Sequence, residues 1–121
     1  MHIQLENHEA NAIQMYEERR IKVLDNWIET SVIIPNQGEL ITWPLTNNTI
    51  DEHALSYLLD CAPEVIIIGM NNPCPIHPQY LTPFYQQRIG VECMSIGAAC
   101  RTFNILLSEG RKVFAGFVIK D

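Results

Sequence analysis

The pattern of apolar and polar positions changes character part-way along the chain. In the first third, short apolar stretches are broken by turn residues. Ile13, Gln14, Met15 and Tyr16 alternate as a short strand does, the charged run 17–20 reads as a turn, and residues 21–24 read as a second strand. Asp25 and Asn26 form a two-residue turn signal between apolar runs. Residues 27–34 follow as one longer strand with Ile28, Val32, Ile33 and Ile34 inward. Pro35, Asn36, Gln37 and Gly38 make the next turn, and residues 39–43 form a further strand ended by Pro44. This third is an antiparallel β-rich segment, and it contains no repeat or low-complexity tract.

From residue 49 onward, helical and strand periods alternate. Thr49 and Glu52 have the S/T-x-x-E spacing of a capping box. The helix behind it carries Leu55, Leu58 and Leu59 on one face and ends near Cys61, Ala62 and Pro63. Residues 65–68 are a continuous β-branched run, as in a central strand covered on both faces. Gly69, Met70, Asn71 and Asn72 interrupt it, and Pro73, Pro75 and Pro78 stiffen the loop that follows. A short helix fits residues 78–87, with Leu81, Phe84 and Tyr85 inward, and a strand fits 89–94. The longest helix follows, with Ser95 as its N-cap and Gly110 just past its end. Its apolar stripe is Ile96, Ala99, Cys100, Phe103, Leu106 and Leu107, at the spacing of a helix packed on a sheet. Residues 113–119 form the last strand. The order predicts an α/β fold: a central mixed β-sheet with helices packed on it, and an additional antiparallel β layer from the N-terminal third. Residues 1–11 read as a polar N-terminal arm and 12–121 as a single α/β domain.

The run GVECMSIGAACRTFNILLSEGR at 90–111 also carries a resemblance. It is similar to a family of small domains of unknown biochemical activity, first described structurally from a methanogen. That family includes a mitochondrial respiratory complex I assembly factor and an adipogenesis-associated domain protein. Its signature resembles Glu-x-Met-x-Thr-x-Ala-Ala-x-Arg-Thr-x-Asn followed by Glu-Gly-Arg. Glu92, Met94, Ala98, Ala99, Arg101, Thr102, Asn104, Glu109, Gly110 and Arg111 match it. Ser95 and Ile96 stand where the family has Asp-Thr, and Gly69-Met70-Asn71 stands where it has Gly-Thr-Gly. The resemblance covers residues 12–119 and implies a central mixed sheet with helices and an extra β layer.

Charge narrows the partners. A net charge of −6 weighs against nucleic acid, which needs a positive footprint, and against anionic membrane surfaces. The unbroken apolar run at 65–68 is far short of the ~20 residues of a membrane helix. Residues 1–10 have neither an apolar segment nor an Arg/Ser-rich composition, so the expected location is cytoplasmic. Cys61, Cys74, Cys93 and Cys100 have no C-x-x-C spacing and are expected as free thiols. Cys100, on the apolar stripe, is expected to be inert.

Ligands of open α/β sheets sit at the carboxyl ends of central strands. That edge gathers Gly69 and Asn71 with Ser95 and Gly97 at the amino end of the long helix, where unpaired amides suit an anion. Arg101 and Asn104 share a helix face one turn on. Glu92, on the preceding strand, is placed to form an ion pair with Arg101. Arg111 joins this candidate cleft through the signature match. The same residues also have a structural reading, as a capped helix tied to its neighbours. Cys74 and His77 have C-x-x-H spacing, but a metal centre requires more ligands. The sequence calls for no metal, no cofactor and no catalytic set. It leaves two function classes: a non-catalytic interaction or assembly-factor-like module with a protein partner, contacted near Trp43, Met70, Ile76 and Tyr80, or a small-molecule- or anion-binding protein or enzyme using a pocket at the N-terminus of the 95–109 helix, with Glu92 as acid or base and Arg101 as charge clamp. Oligomeric state is left open.

Overall fold

The computed structural model describes residues 10–73 and 75–120. Eleven elements follow in order: β1 (Ile13–Glu17), β2 (Arg20–Val23), β3 (Asn26–Ile28), β4 (Val32–Ile34), β5 (Ile41–Thr42), α1 (Glu52–Asp60), β6 (Val65–Gly69), α2 (Pro78–Gln86), β7 (Gly90–Met94), α3 (Ile96–Ser108) and β8 (Val113–Phe117). They build a mixed five-stranded sheet in the order β5-β4-β8-β6-β7 and an antiparallel three-stranded sheet in the order β1-β2-β3. The α/β architecture with an additional β layer is therefore present.

The connections explain the layers. β6, β7 and β8 run parallel, with β6 between the other two. The crossover from β6 to β7 steps one way and the crossover from β7 to β8 steps back. Both being right-handed, their helices lie on opposite faces of the sheet. Phe84 of α2 accordingly packs with α1 on one side, while α3 fills the other. Residues of β6 alternate between the two cores: Ile66 and Ile68 face α1 and α2, and Ile67 faces α3. The three-stranded sheet closes over α3, contributing Ile13, Ile21 and Val23 to the same core as Ala99 and Phe103. α3 is thus buried between two sheets.

Several details differ from the sequence reading. The stretch 27–34 is two strands in two different sheets, parted by the polar triplet Glu29-Thr30-Ser31. Ser31 fixes the crossing: its Oγ accepts from the Ile119 amide at 2.9 Å, and its carbonyl accepts from the Trp43 amide at 3.1 Å. The β2–β3 turn is centred one residue earlier than expected, on Leu24 and Asp25, both with positive φ. α1 is capped by Asp51, whose Oδ1 accepts from the Ala54 amide at 2.8 Å, while Thr49 Oγ1 donates to the Asn47 carbonyl. Tyr85 points outward, because its neighbour Phe84 takes the buried face of the helix. Ser95 and Gly110 hold their expected places at the ends of α3. Asn11 is buried and bonds the backbone of Pro35, Asn36 and Gly38, and the rest of the expected arm, residues 1–9, lies outside the described residues.

At Gly69 the helix lies close against the sheet. A Cβ there would stand 2.8 Å from Ala99 Cβ and 2.9 Å from the Phe117 ring. Overpacking of this kind typically costs about 1–3 kcal/mol. Gly69→Ala is expected to lower the urea midpoint accordingly with an unchanged slope, and an unmoved midpoint would mean that α3 is not seated this tightly.

Candidate functional site

The start of α3 is built as the sequence suggests and then covered. Ser95 caps the helix, its Oγ accepting from the Ala98 amide at 3.3 Å. Tyr16, from β1, lies across the first turn: a Cβ on Gly97 would stand 2.8 Å from its hydroxyl oxygen. That hydroxyl accepts from Arg101 Nη1 at 3.0 Å. Asn71 Nδ2 donates to the Glu18 carbonyl at 3.2 Å, bringing the end of β6 to the β1–β2 turn.

Tyr16 consequently separates two grooves. One, of about 250 Å³, is lined by Asn71, Ser95, Ile96 and Gly97 together with Tyr16, Glu17 and Glu18. Glu18 adds an acidic group to its lining, while the Glu17 carboxylate is paired with Arg20, Nε to Oε1 at 2.8 Å; an acidic wall opposes an anion, although the amino end of α3 lies beside it. The other, of about 370 Å³, has Ile13, Met15 and Tyr16 on one side and Cys100, Arg101 and Asn104 on the other. Here Asn104 is engaged at both ends: Oδ1 accepts from the Ile13 amide and Nδ2 donates to the Ile13 carbonyl, both at 2.9 Å. A side-chain amide has one acceptor and one donor end, so it pairs with the outer edge of β1 as a strand residue would.

The remaining expected members lie elsewhere. Gly69 is in the core under Ala99. Glu92 is exposed on the edge strand β7 and makes no ion pair with Arg101. Arg111 is at the far end of α3, 3.5 Å from Glu64. The Glu64 carboxyl also accepts from the Lys112 amide, and that bond, with Arg111 nearby, holds its pKa below the usual carboxylate value. The structure thus gathers Asn71, Ser95 and Gly97 in one groove and Arg101 and Asn104 in the next, with Gly69, Glu92 and Arg111 apart. Tyr16, Glu17 and Glu18 complete these grooves but were not among the expected cleft residues. Nothing local marks them, because a strand from the N-terminal third reaches the helix only in three dimensions.

A third hollow, of about 270 Å³, opens on the other face at the end of β6. Its walls are Asn48, Thr49, Ile50, Met70, Pro75, Ile76, His77 and Tyr80. Three of the four residues expected at a partner face, Met70, Ile76 and Tyr80, converge there. Trp43 does not: it is buried, lies flat on Gly116 and donates from Nε1 to the Ala54 carbonyl at 3.0 Å. His77 caps α2, its Nδ1 accepting from the Gln79 amide, and its ring lies 5.5 Å from that of Tyr80. Among the described residues no group of three or more His, Cys, Asp or Glu is placed for a metal, and Cys74 of the Cys74–His77 pair lies outside them. Burial pushes the Cys100 thiol up to about 12, which leaves it protonated and unreactive near neutrality.

The family described as "Protein of unknown function (DUF498/DUF598)" matches residues 13–118. A mouse protein named NADH dehydrogenase [ubiquinone] 1 alpha subcomplex assembly factor 3 is 28% identical over 120 residues, spanning 96% of this chain and 64% of its own length. The chain therefore spans a little under two thirds of that relative. A crystal structure of a Bordetella parapertussis protein superposes with a TM-score of 0.83 at 27% identity, covering 92% of this chain and 97% of the other. A Bordetella pertussis protein described as a Mth938-like domain gives a TM-score of 0.79 at 23% identity, covering 97% and 92%, and shares the fold. No helix among the described residues is long and apolar enough to cross a membrane.

Two outcomes test the site. Asn104→Ala is expected to cost about 2 kcal/mol, two hydrogen bonds at ~1 each, and to speed hydrogen exchange at the Ile13 amide; unchanged exchange would remove Asn104 from the tie between β1 and α3. Cys100 has a second consequence. Its folded pKa of about 12 exceeds the ordinary 9.0, so between those values the unfolded chain has lost a proton that the native state retains. The Cys100 contribution to stability is therefore fully present below about pH 9 and is lost as pH rises toward 12, so the alkaline fall in stability should be shallower in Cys100→Ala. Equal slopes for the two proteins would contradict it.

Proposed function

The chain belongs to the DUF498/DUF598 family of proteins of unknown function, and from that premise we propose that it is a non-catalytic interaction module of assembly-factor type. The observation that carries this reading is the employment of the α3 side chains. Asn104 is spent on Ile13, Arg101 on Tyr16 and Ser95 on its own helix, while Met70, Ile76 and Tyr80 form an open hollow. An acid, base or nucleophile set would leave such groups converging on a reacting atom. The mouse relative's name, an assembly factor, supports the same class. What this chain assembles with is inferred as a protein, and the hollow is the face that meets it.

The anion reading receives less support. Its amides are there, but Tyr16 lies over them and Glu17 and Glu18 line the same groove. The discriminating experiment is native mass spectrometry of the chain recovered gently from its own cells. The interaction reading expects an identified protein at fixed stoichiometry beside the chain. A retained small anion, lost in Arg101→Ala, with no protein mass would overturn it in favour of the groove.

A further inference from the structure

The hollow at the end of β6 differs from the two grooves beside Tyr16 in its chemistry. Glu17 and Glu18 line one of those grooves and Arg101 the other. Among the described residues the hollow is lined by Asn48, Thr49, Ile50, Met70, Pro75, Ile76, His77 and Tyr80, none of them Asp, Glu, Lys or Arg, on a chain of net charge −6. A carboxylate or phosphate would find no fixed cation there, and an ammonium no carboxylate. The occupant it fits is neutral.

Size and lining narrow that further. A cavity of about 150 Å³ holds one benzene ring, so about 270 Å³ holds a side chain of one or two fused rings. Met70 is almost fully buried and puts its flexible, polarizable chain against the space, and thioether sulfur packs well against aromatic edges. The His77 and Tyr80 rings lie tilted beside each other, 47° between planes, and can offer edges to a third ring. Pro75 in the wall and Pro78 at the first position of α2 fix φ on either side of Ile76 and His77, so this part of the wall needs little ordering on binding. His77 Nδ1 accepts the Gln79 amide at 3.2 Å, which holds the ring in place at the start of α2.

We propose that this hollow receives one aromatic side chain, Trp, Tyr or Phe, presented by the module's protein partner. The proposal rests on the interaction reading above and names the chemistry by which that partner is held. Buried aromatic anchors in preformed pockets are the usual centre of such contacts.

The test uses N-acetyl-L-tryptophanamide as the probe, titrated into the ¹⁵N-labelled chain, with N-acetyl-L-leucinamide as control. Saturable amide shifts at 48–50, 70, 76, 77, 79 and 80, at least about tenfold weaker binding of the leucine compound, and loss of the shifts in Ile76→Glu are expected. Ile76 is half-buried on the loop, so the variant places a carboxylate in the hollow without opening the core, and its own amide spectrum checks its fold. Tyr80→Leu, which keeps an apolar wall but removes the ring, should also weaken the tryptophan compound selectively. No saturable shift, shifts centred on residues 95–104, or equal binding of the two compounds would overturn the proposal. A small aromatic molecule already held in the hollow of the purified chain would overturn it too, by giving the site a different occupant. Failure here with an identified protein still bound to the chain would sink the aromatic anchor and leave the interaction reading standing.

Discussion

The fold depends on how closely α3 can lie against β6. Ala99 meets the backbone of Gly69 with no side chain between them, and Phe117 closes the same contact from β8. That approach buries Ile96, Cys100 and Phe103 along with Ala99 and leaves the opposite flank of the helix free for a second sheet. The three-stranded sheet covers it, and Asn104 joins the two by pairing with both backbone groups of Ile13. An edge strand is a row of unsatisfied donors and acceptors. Here a helix side chain satisfies one residue of that row, so the β1 edge is docked through polar bonds as well as apolar contact.

The polar residues of α3 therefore have an architectural use. Ser95 caps the helix, Arg101 holds the Tyr16 hydroxyl, and Asn104 holds β1. Cys100 is sealed beneath them. Family signatures concentrate attention on such residues, yet a signature can record a difficult packing arrangement as readily as a reaction. The other face of the sheet has fewer such demands. There the segment after β6 parts, with Met70 turning to the α2 side and Asn71 to the Tyr16 side, and the α2 side is left with an uncharged hollow.

Most of the fold was legible in the sequence because it rests on local signals. The β-branched run of β6, the apolar stripe and caps of α3, and the turn before β5 each carry their own pattern. The split between β3 and β4 was not read, since Val32, Ile33 and Ile34 continue the apolar character of Ile28 and only Glu29, Thr30 and Ser31 mark the change of sheet. The Thr49 box lost to Asp51 because either residue can cap, and the backbone path decides which side chain faces the first turn. The cleft was legible in part. Asn71, Ser95 and Gly97 meet because strand ends and helix starts share an edge, a topological rule. Tyr16 could not be found that way: its contact with Gly97 and Arg101 spans more than eighty residues and depends on the second sheet. Trp43 was expected at the partner face, whereas Gly116 makes room for it in the core.

The account places the partner-contacting face at the Met70 hollow and assigns the α3 amino end to architecture. The most direct measurement is retention of the co-purifying protein by Ile76→Glu and Arg101→Ala, compared side by side in chains shown to be folded. The account predicts that Ile76→Glu loses the partner and Arg101→Ala keeps it. Loss with Arg101→Ala and retention with Ile76→Glu would contradict the account and return function to the groove beneath Tyr16.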